Sequence, residues 1–179
     1  MKPGLLVTAL ILGGALAMAG CAQLGLPDSG LFGSSALSTP IAPAEVEWSR
    51  KSGANTVSGT AALKAGGETH TCAGQSANLV PDSAYARARM TAIFGNATRG
   101  QRAASRGPVK FDKDDPLYVS TLRTTRCDAA GSFSFARVPD GSWYATTSIK
   151  WQVGSQVEGG SMMQRVDVRG GRLVKVTLP

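Results

Sequence analysis

The fold of this chain is decided by the stretch DAAGSFSFARVPDGSWY, residues 128–144. Gly131 starts a strand in which Phe133 and Phe135 alternate with polar residues and so share one face. Pro-Asp-Gly at 139–141 is a turn signal, and the aromatic residues after it begin a second strand. Aromatic faces of this kind normally pack between two sheets. The stretch therefore predicts a hairpin within a β-sandwich.

Alternation of polar and apolar residues continues from this hairpin in both directions. Residues 57–63 carry small residues on one face, which is typical of a half-buried strand. One face of the longest strand carries Trp143, Ala145, Thr147, Ile149, Trp151 and Val153. Strands are predicted over residues 57–63, 68–73, 76–80, 118–127, 132–138, 142–153, 161–168 and 172–178. We therefore expect an all-β, antiparallel β-sandwich of seven or eight strands.

One segment after Pro81 interrupts the strands with helical spacing. Asp82 or Ser83 is positioned to cap a helix, and Gly95 is positioned to end it. The apolar positions on one face of this helix are Ala86, Met90, Ile93 and Phe94. Residues 95–116 are polar and lack periodicity. We expect one short helix or irregular excursion, followed by a long mobile loop.

The N-terminal segment has the three regions of a secretory signal peptide. Lys2 supplies the positive charge, residues 4–20 are uncharged, and small residues precede Cys21. Residues 18–21, Met-Ala-Gly-Cys, resemble the lipobox of bacterial lipoproteins. The resemblance implies cleavage before Cys21, attachment of a diacylglycerol to its thiol, and acylation of the new amino group by a chain such as palmitate. By resemblance to enterobacterial lipoproteins, Ala22 in place of aspartate favours the outer membrane.

The predicted organisation is a signal peptide over residues 1–20, a lipidated flexible tether over 21–43 and a folded domain over 44–179. The tether is rich in Gly, Ser, Ala and Pro. The remaining chain is long enough for one domain with a core but short for two. Two alternatives remain for the signal: an uncleaved transmembrane helix, or an ordinary signal peptide with a chance cysteine. In another alternative the apolar tether residues dock on the membrane or the domain; these are Leu24, Leu26, Leu31 and Phe32.

Cys72 and Cys127 are an even pair in a chain that is predicted to be exported. Because export leads to an oxidising compartment, a disulfide between them is the first expectation. The alternative is zinc, which usually takes about four ligands. With His70 as the only histidine of the chain, nitrogen and sulfur ligands for zinc are too few.

Catalytic and metal-binding residues are scarce in this sequence. A Ser/His/Asp or Cys/His arrangement would have to use His70, whose alternating polar strand predicts a surface histidine instead. Asp112, Asp114 and Asp115 lack the spaced ligands and the glycine of a calcium loop, so they predict a solvated acidic turn. No Gly-rich phosphate loop or GxSxG elbow occurs. The sequence therefore predicts no enzyme, no metal and no cofactor.

One segment carries most of the formal net charge of +7. Residues 83–111 contain no acidic residue. Their positive charges are Arg87, Arg89, Arg99, Arg102, Arg106 and Lys110. The five arginines are candidate anion-binding residues, and an anionic envelope glycolipid or glycan is the candidate partner. The alternative is a solvated loop that maintains solubility. No nucleic acid is expected, because few aromatic residues lie among the arginines.

Four stretches resemble a carboxypeptidase regulatory-like domain: residues 57–63, 71–74, 79–81 and 127–144. The last is the most specific, with a glycine turn, a Phe-x-Phe strand, a Val-Pro-x-Gly hairpin and an aromatic strand in succession. The resemblance implies a transthyretin-like sandwich and a structural or binding module without catalysis. It implies no particular ligand.

The combined expectation is an outer-membrane-anchored lipoprotein that serves as a non-catalytic binding or structural module of the cell envelope. Its membrane contact is the lipid on Cys21. The alternative is an accessory subunit of an envelope secretion or surface-appendage assembly, which docks a protein partner by a sheet edge.

Overall fold

The computed structural model describes residues 31–179. The predicted signal peptide, Cys21 and the start of the tether lie outside the described residues. The strands of the described part are β1 (Asn55–Ala65), β2 (Glu68–Thr71), β3 (Ser76–Pro81), β4 (Arg99–Ala103), β5 (Arg123–Arg126), β6 (Ser132–Val138), β7 (Gly141–Val153), β8 (Gln156–Val168) and β9 (Leu173–Leu178). The α-helices are α1 (Leu31–Ser38), α2 (Pro43–Val46), α3 (Ala84–Phe94) and α4 (Pro116–Thr121).

The strands form two sheets. In the four-stranded sheet, β1 pairs antiparallel with β2 and β6 and parallel with β9. In the five-stranded sheet the order is β4-β8-β7-β3-β5, and every neighbouring pair is antiparallel. The predicted all-β sandwich is confirmed. Three details differ from the expectation: residues 31–179 form nine strands, β9 runs parallel to β1, and β6 and β7 lie in different sheets instead of pairing as a hairpin.

The main core lies between the two sheets. Trp143, Ile149 and Met162 of the five-stranded sheet are fully buried there with Phe133 and Val57 of the four-stranded sheet. The ring of Phe133 on β6 lies over its cross-strand partner Gly59 in β1, where an added Cβ would lie 2.3 Å from Cζ of the ring. Glycine is therefore required at this position of β1.

A disulfide between Cys72 and Cys127 ties the two sheets together. Cys72 follows β2 of one sheet, and Cys127 follows β5 of the other. The bridge closes a sequence separation of 55 residues. In the chain-entropy model, a loop of this size contributes roughly 4 kcal/mol to the free energy of unfolding. The pairing predicted from the sequence is confirmed.

Helix α3 covers part of the outer face of the five-stranded sheet, the face turned away from the other sheet. Ser83 caps the helix, since its hydroxyl accepts a hydrogen bond from the Ala86 N–H at 3.1 Å. Gly95 ends it in the left-handed conformation, with φ of 72°. Met90 then packs on Tyr144 and Met163 of the sheet. The predicted helix and its ends are confirmed, with Ser83 rather than Asp82 as the cap.

The predicted long loop over residues 95–116 is wrong in its first half. β4 pairs with β8 along its whole length and forms an edge of the five-stranded sheet. Its sequence, Arg-Gly-Gln-Arg-Ala, has no β-branched or aromatic residue, so the strand depends on pairing with β8 rather than on its own propensity. The predicted strand over 118–127 is likewise shorter. Asp115 caps α4 and Pro116 starts it, which leaves only β5 as strand.

The part of the predicted tether that the structure describes is packed on the domain. Ile41 is buried with Val46 and Tyr85, and Leu37 of α1 packs on the same cluster. The Ile41 N–H also donates to Oδ2 of Asp115 at 3.0 Å. Burial of these apolar side chains offsets the entropy cost of ordering a segment whose composition predicted flexibility. The prediction of a flexible tether over residues 21–43 is therefore wrong at the C-terminal end of this range, which the structure describes.

Candidate functional site

A cleft of about 330 Å³ opens on the outer face of the five-stranded sheet, beyond the end of α3. We call it the outer-face cleft. Its polar lining consists of Gln75, Ser76, Asn78, Thr146, Ser148 and Ser161. Its apolar lining includes Met90, Ile93, Phe94 and Tyr118. None of the described residues that line it is Asp, Glu, His, Cys, Lys or Arg.

The floor of the cleft is polar because of strand register. Asn78 of β3 pairs with Thr146 of β7, and Ser148 of β7 pairs with Ser161 of β8. Side chains alternate along a strand, so the even-numbered positions of β7 face outward while Trp143 and Ile149 face the core. Hydroxyl and amide groups from three neighbouring strands therefore form one surface.

The Asn78 amide is oriented by a hydrogen bond from a neighbouring strand. Thr124 Oγ1 donates to Oδ1 of Asn78 at 2.9 Å. Because this bond occupies the carbonyl end of the amide, the Nδ2 hydrogens are available at the cleft as donors. The floor thus offers an oriented amide donor beside hydroxyls that donate and accept.

Two aromatic residues line the helical side of the cleft. Phe94 ends α3 against β4, where a Cβ at Gly100 would lie 2.6 Å from Cβ of Phe94. Tyr118 of α4 packs against the apolar cluster that Met90 forms with Tyr144 and Met163 under α3. Burial raises the pKa of Tyr118 above its usual value, and nearby Arg89 lowers it by less. The phenol therefore keeps its proton at neutral pH and serves as a hydrogen-bond donor.

The structure does not gather the five predicted anion-binding arginines on one surface. Arg87 pairs with Asp82, with Nη1 and Oδ1 2.6 Å apart. Arg99 and Arg106 are exposed on β4 and on the short 3-10 helix after it. Their anion-binding role stays a prediction.

Arg89 is held by the protein on several sides. Its Nη1 donates to the Tyr85 hydroxyl at 3.2 Å and to Oδ1 of Asp114 at 2.5 Å. Its guanidinium also lies 3.9 Å from the centre of the Phe111 ring. This residue joins α3 to the segment before α4.

Arg102 closes the turn that follows β4. Its Nε and Nη2 donate to the carbonyls of Gly107 and Arg106, both at 3.1 Å, and Nη1 to that of Ile93 at 3.5 Å. Arg102 also pairs across strands with Ser161 of the cleft floor. Of the five arginines, it is the one that the register places beside the outer-face cleft.

Asp82 forms a separate, largely buried charge network. Its side chain is only 7% exposed and accepts from Arg87 and from Nε of Arg165, the latter at 2.9 Å. The Tyr144 hydroxyl lies 3.5 Å from Oδ1. Burial, together with the Asp82 charge, raises the pKa of Tyr144 to about 12. This network fixes the start of α3 against β7 and β8.

The predicted acidic turn is used for local structure. Asp114 binds Arg89, while Asp115 caps α4 and Asp112 is exposed. Among residues 31–179, no group of three or more His, Cys, Asp or Glu side chains is arranged to hold a metal ion. A larger groove, about 510 Å³, lies between this turn and the end of α1. Its lining mixes both charges, with Lys113 beside Asp112 and Asp114.

His70 lies on β2, in the four-stranded sheet, and not on the sheet that carries the outer-face cleft. Its ring stacks on Trp151 with a centroid distance of 3.8 Å and an interplanar angle of 3°. Nε2 is 3.9 Å from Glu68. The residue is half-buried by this stack rather than being an isolated surface histidine.

None of the helices within residues 31–179 combines the length and the hydropathy that a bilayer crossing requires. Comparison with family models found no match, and comparison with curated proteins also found none. A crystal structure of a Pseudomonas aeruginosa protein for which carbohydrate binding has been proposed is similar to this chain, with a TM-score of 0.65 and 24% sequence identity. The similarity covers 78% of this chain and 97% of the other. It shows the fold alone.

The outer-face cleft was not predicted from the sequence. The aromatic and β-branched residues on the odd-numbered face of β7 decided the prediction for this strand, and Thr146 and Ser148 were given no role. A signal was present, because serine, threonine and asparagine recur at alternate positions of both β3 and β7. Only the fold shows that these positions lie side by side and that a helix ends next to them.

Proposed function

We propose that this protein is a non-catalytic binding module of the bacterial cell envelope that binds a carbohydrate in the outer-face cleft. The observation that carries the proposal is the combination of a hydroxyl and amide floor with an aromatic side wall. Asn78, Thr146 and Ser148 provide the floor, and Phe94 and Tyr118 belong to the wall.

The chemistry of these groups matches that of a sugar. Sugar hydroxyls both donate and accept hydrogen bonds, as do the hydroxyls of Ser and Thr and the amide of Asn. The C–H face of a pyranose ring is apolar and packs on aromatic surface such as that of Phe94. A volume of about 330 Å³ lies within the usual range for small-ligand sites.

The structural neighbour agrees with a carbohydrate ligand, because carbohydrate binding has been proposed for that protein as well. At a sequence identity of 24%, the two proteins share the fold, and the ligand of one cannot be transferred to the other. The cleft residues of this chain therefore carry the proposal.

The envelope location in this proposal is supported by the lipobox-like residues 18–21 and by the disulfide. The resemblance to carboxypeptidase regulatory-like domains agrees with a binding role. Lipid on Cys21 would hold the domain at the outer membrane. Fractionation of cells that express the Cys21→Ser variant tests this part: we expect the variant to leave the membrane pellet. Equal recovery of variant and wild type in the pellet would contradict it.

The binding role is tested with an oligosaccharide panel and calorimetry. We expect the wild type to bind at least one glycan, and Thr146→Ala with Ser148→Ala to weaken that binding about tenfold, since each removes a hydrogen bond at the floor. Ser134→Ala is the matched control, because Ser134 is an exposed serine on β6 of the other sheet. No binding to any glycan, or equal loss in the control, would overturn the proposal.

A further inference from the structure

Positive side chains border the outer-face cleft on the sides that the helices leave open. Arg102 of β4 pairs with Ser161, and Ser161 pairs with Ser148. On the opposite side Ser76 of β3 pairs with Arg126 of β5. A strip of three serines therefore crosses the sheet between two arginines. With strands about 4.8 Å apart, the backbone positions of the two arginines lie about 19 Å from each other.

A third cation closes the remaining side. Lys150 follows Ser148 by two residues along β7, so strand alternation places it on the same face. It is exposed, and so is Arg126, which donates from Nη1 to the Gly74 carbonyl at 2.8 Å. Two accessible cations and the partly buried Arg102 thus surround the polar floor.

No negative charge offsets these cations at the cleft. Its described lining contains neither Asp nor Glu. Glu158, the acidic residue on the same stretch of β8, pairs with Trp151, and strand alternation turns it toward the opposite face of the sheet. The uniformly positive charge around the floor therefore raises the local concentration of anionic ligands.

The geometry points to an anionic glycan, specifically one that contains uronic acid residues, as the ligand of the outer-face cleft. This inference rests on the proposed carbohydrate binding. The sugar hydroxyls bond to the serine, threonine and asparagine floor, and the ring carboxylates pair with Arg126 and Lys150 at its border. Charge-assisted bonds of this type are stronger than neutral ones.

The test compares uronate tetramers with their methyl esters. Tetramers of galacturonate, mannuronate and glucuronate are titrated into the full folded domain, each beside its methyl ester and its neutral hexose counterpart. The ester keeps the stereochemistry of the sugar and removes the charge. We expect a uronate tetramer to bind at least about tenfold more tightly than its ester, and to bind more weakly as salt increases.

Substitutions test which cations pair with the carboxylates of the uronate. Arg126→Gln and Lys150→Gln are expected to weaken uronate binding about tenfold together and to leave binding of the methyl ester unchanged. Arg172→Gln and Lys175→Gln, exposed residues of the other sheet region, are the matched controls. Arg102 is not substituted, because its bonds to three carbonyls hold the turn after β4.

The outcomes separate this inference from the proposed function. If neutral tetramers bind as tightly as uronates and the floor variants abolish that binding, the anionic ligand is wrong and the carbohydrate module stands. If no tetramer of either kind binds, both proposals fail. Uronate binding that is lost equally in the control pair would place the ligand elsewhere on the surface.

Discussion

The two faces of the five-stranded sheet are built by the same strands and have opposite properties. On the inner face Trp143, Ala145 and Ile149 of β7 are completely buried against the other sheet. On the outer face Tyr144 is also buried, but Thr146 and Ser148 are only half-buried. The difference arises because the inner face has a whole sheet above it, whereas α3 stops at Gly95. The length of one helix thus sets the extent of the cleft.

This contrast separates stability from binding along a single strand. Odd-numbered residues of β7 supply apolar burial, which is the dominant favourable term in folding. Even-numbered residues beyond the helix contribute little burial and expose polar groups. Substitutions on the two faces should therefore change different measured quantities.

The largest effect is expected on the inner face. Trp143→Ala removes a fully buried ring that also contacts Trp48 edge-on at 5.0 Å, and should lower the free energy of unfolding by about 3–5 kcal/mol. Trp151→Ala is the control on the same strand: its ring is only partly buried against the core, so we expect a smaller loss, to which the stack on His70 contributes about 1 kcal/mol. Urea unfolding measures both. Similar losses for the two tryptophans would remove the distinction between the buried and open ends of the strand.

A smaller effect is expected where the helix meets the sheet. In Gly100→Ala the new Cβ would lie 2.6 Å from Cβ of Phe94, so the end of α3 must shift. Overpacking of this kind costs about 1–3 kcal/mol, and glycan binding should change with it because Phe94 lines the cleft. Gln101→Ala, at the next and exposed position of β4, is the control. Unchanged binding in Gly100→Ala would show that the position of Phe94 is irrelevant to the ligand.

The smallest effect is expected at Tyr144, under the helix. Its pKa is raised from 10.0 to about 12 in the folded protein, so folding favours the neutral phenol. The corresponding stability is complete below pH 10 and is lost as the pH rises toward 12, by no more than about 2 kcal/mol. Tyr144→Phe should flatten this part of the profile. Denaturation midpoints at pH 8 and pH 11.5 compare the two proteins, and lysine titration is common to both. An equal change of the midpoint with pH in the wild type and in Tyr144→Phe would contradict the raised pKa of Tyr144.

The bounds of β6 and β7 and the Pro-Asp-Gly turn between them were predicted almost to the residue, but the hairpin was wrong. β6 pairs with β1 and β7 pairs with β3 and β8, so the turn carries the chain from one sheet to the other. The alternation at Phe133 and Phe135 is a local signal, whereas the sheet that each strand joins is decided by tertiary packing. The cap and end of α3 were also predictable, because Ser83 and Gly95 are standard residues for those positions.

Other elements were missed because their signals are weak or lie elsewhere in the chain. β4 consists of residues with low strand propensity and is ordered by its partner β8. Asp115 and Pro116 are typical of a helix start and could have predicted α4. The apolar residues after them led instead to the prediction of a strand. The cleft and its bordering cations come from β3, β4, β5, β7 and β8 together. Their register, and not any one stretch, brings Arg126 and Arg102 to opposite sides of three serines.

If the proposed lipid on Cys21 holds the protein at a membrane, the disulfide has a mechanical consequence. The chain between Cys72 and Cys127 includes β3, α3, β4, α4 and β5, which provide most of the cleft. A pulling force that travels along the backbone passes from one sulfur to the other and bypasses this loop. The loop therefore adds nothing to the length that the chain gains when it is stretched. When the chain is pulled at its two ends, the segments outside the loop therefore carry the force and most of the cleft does not.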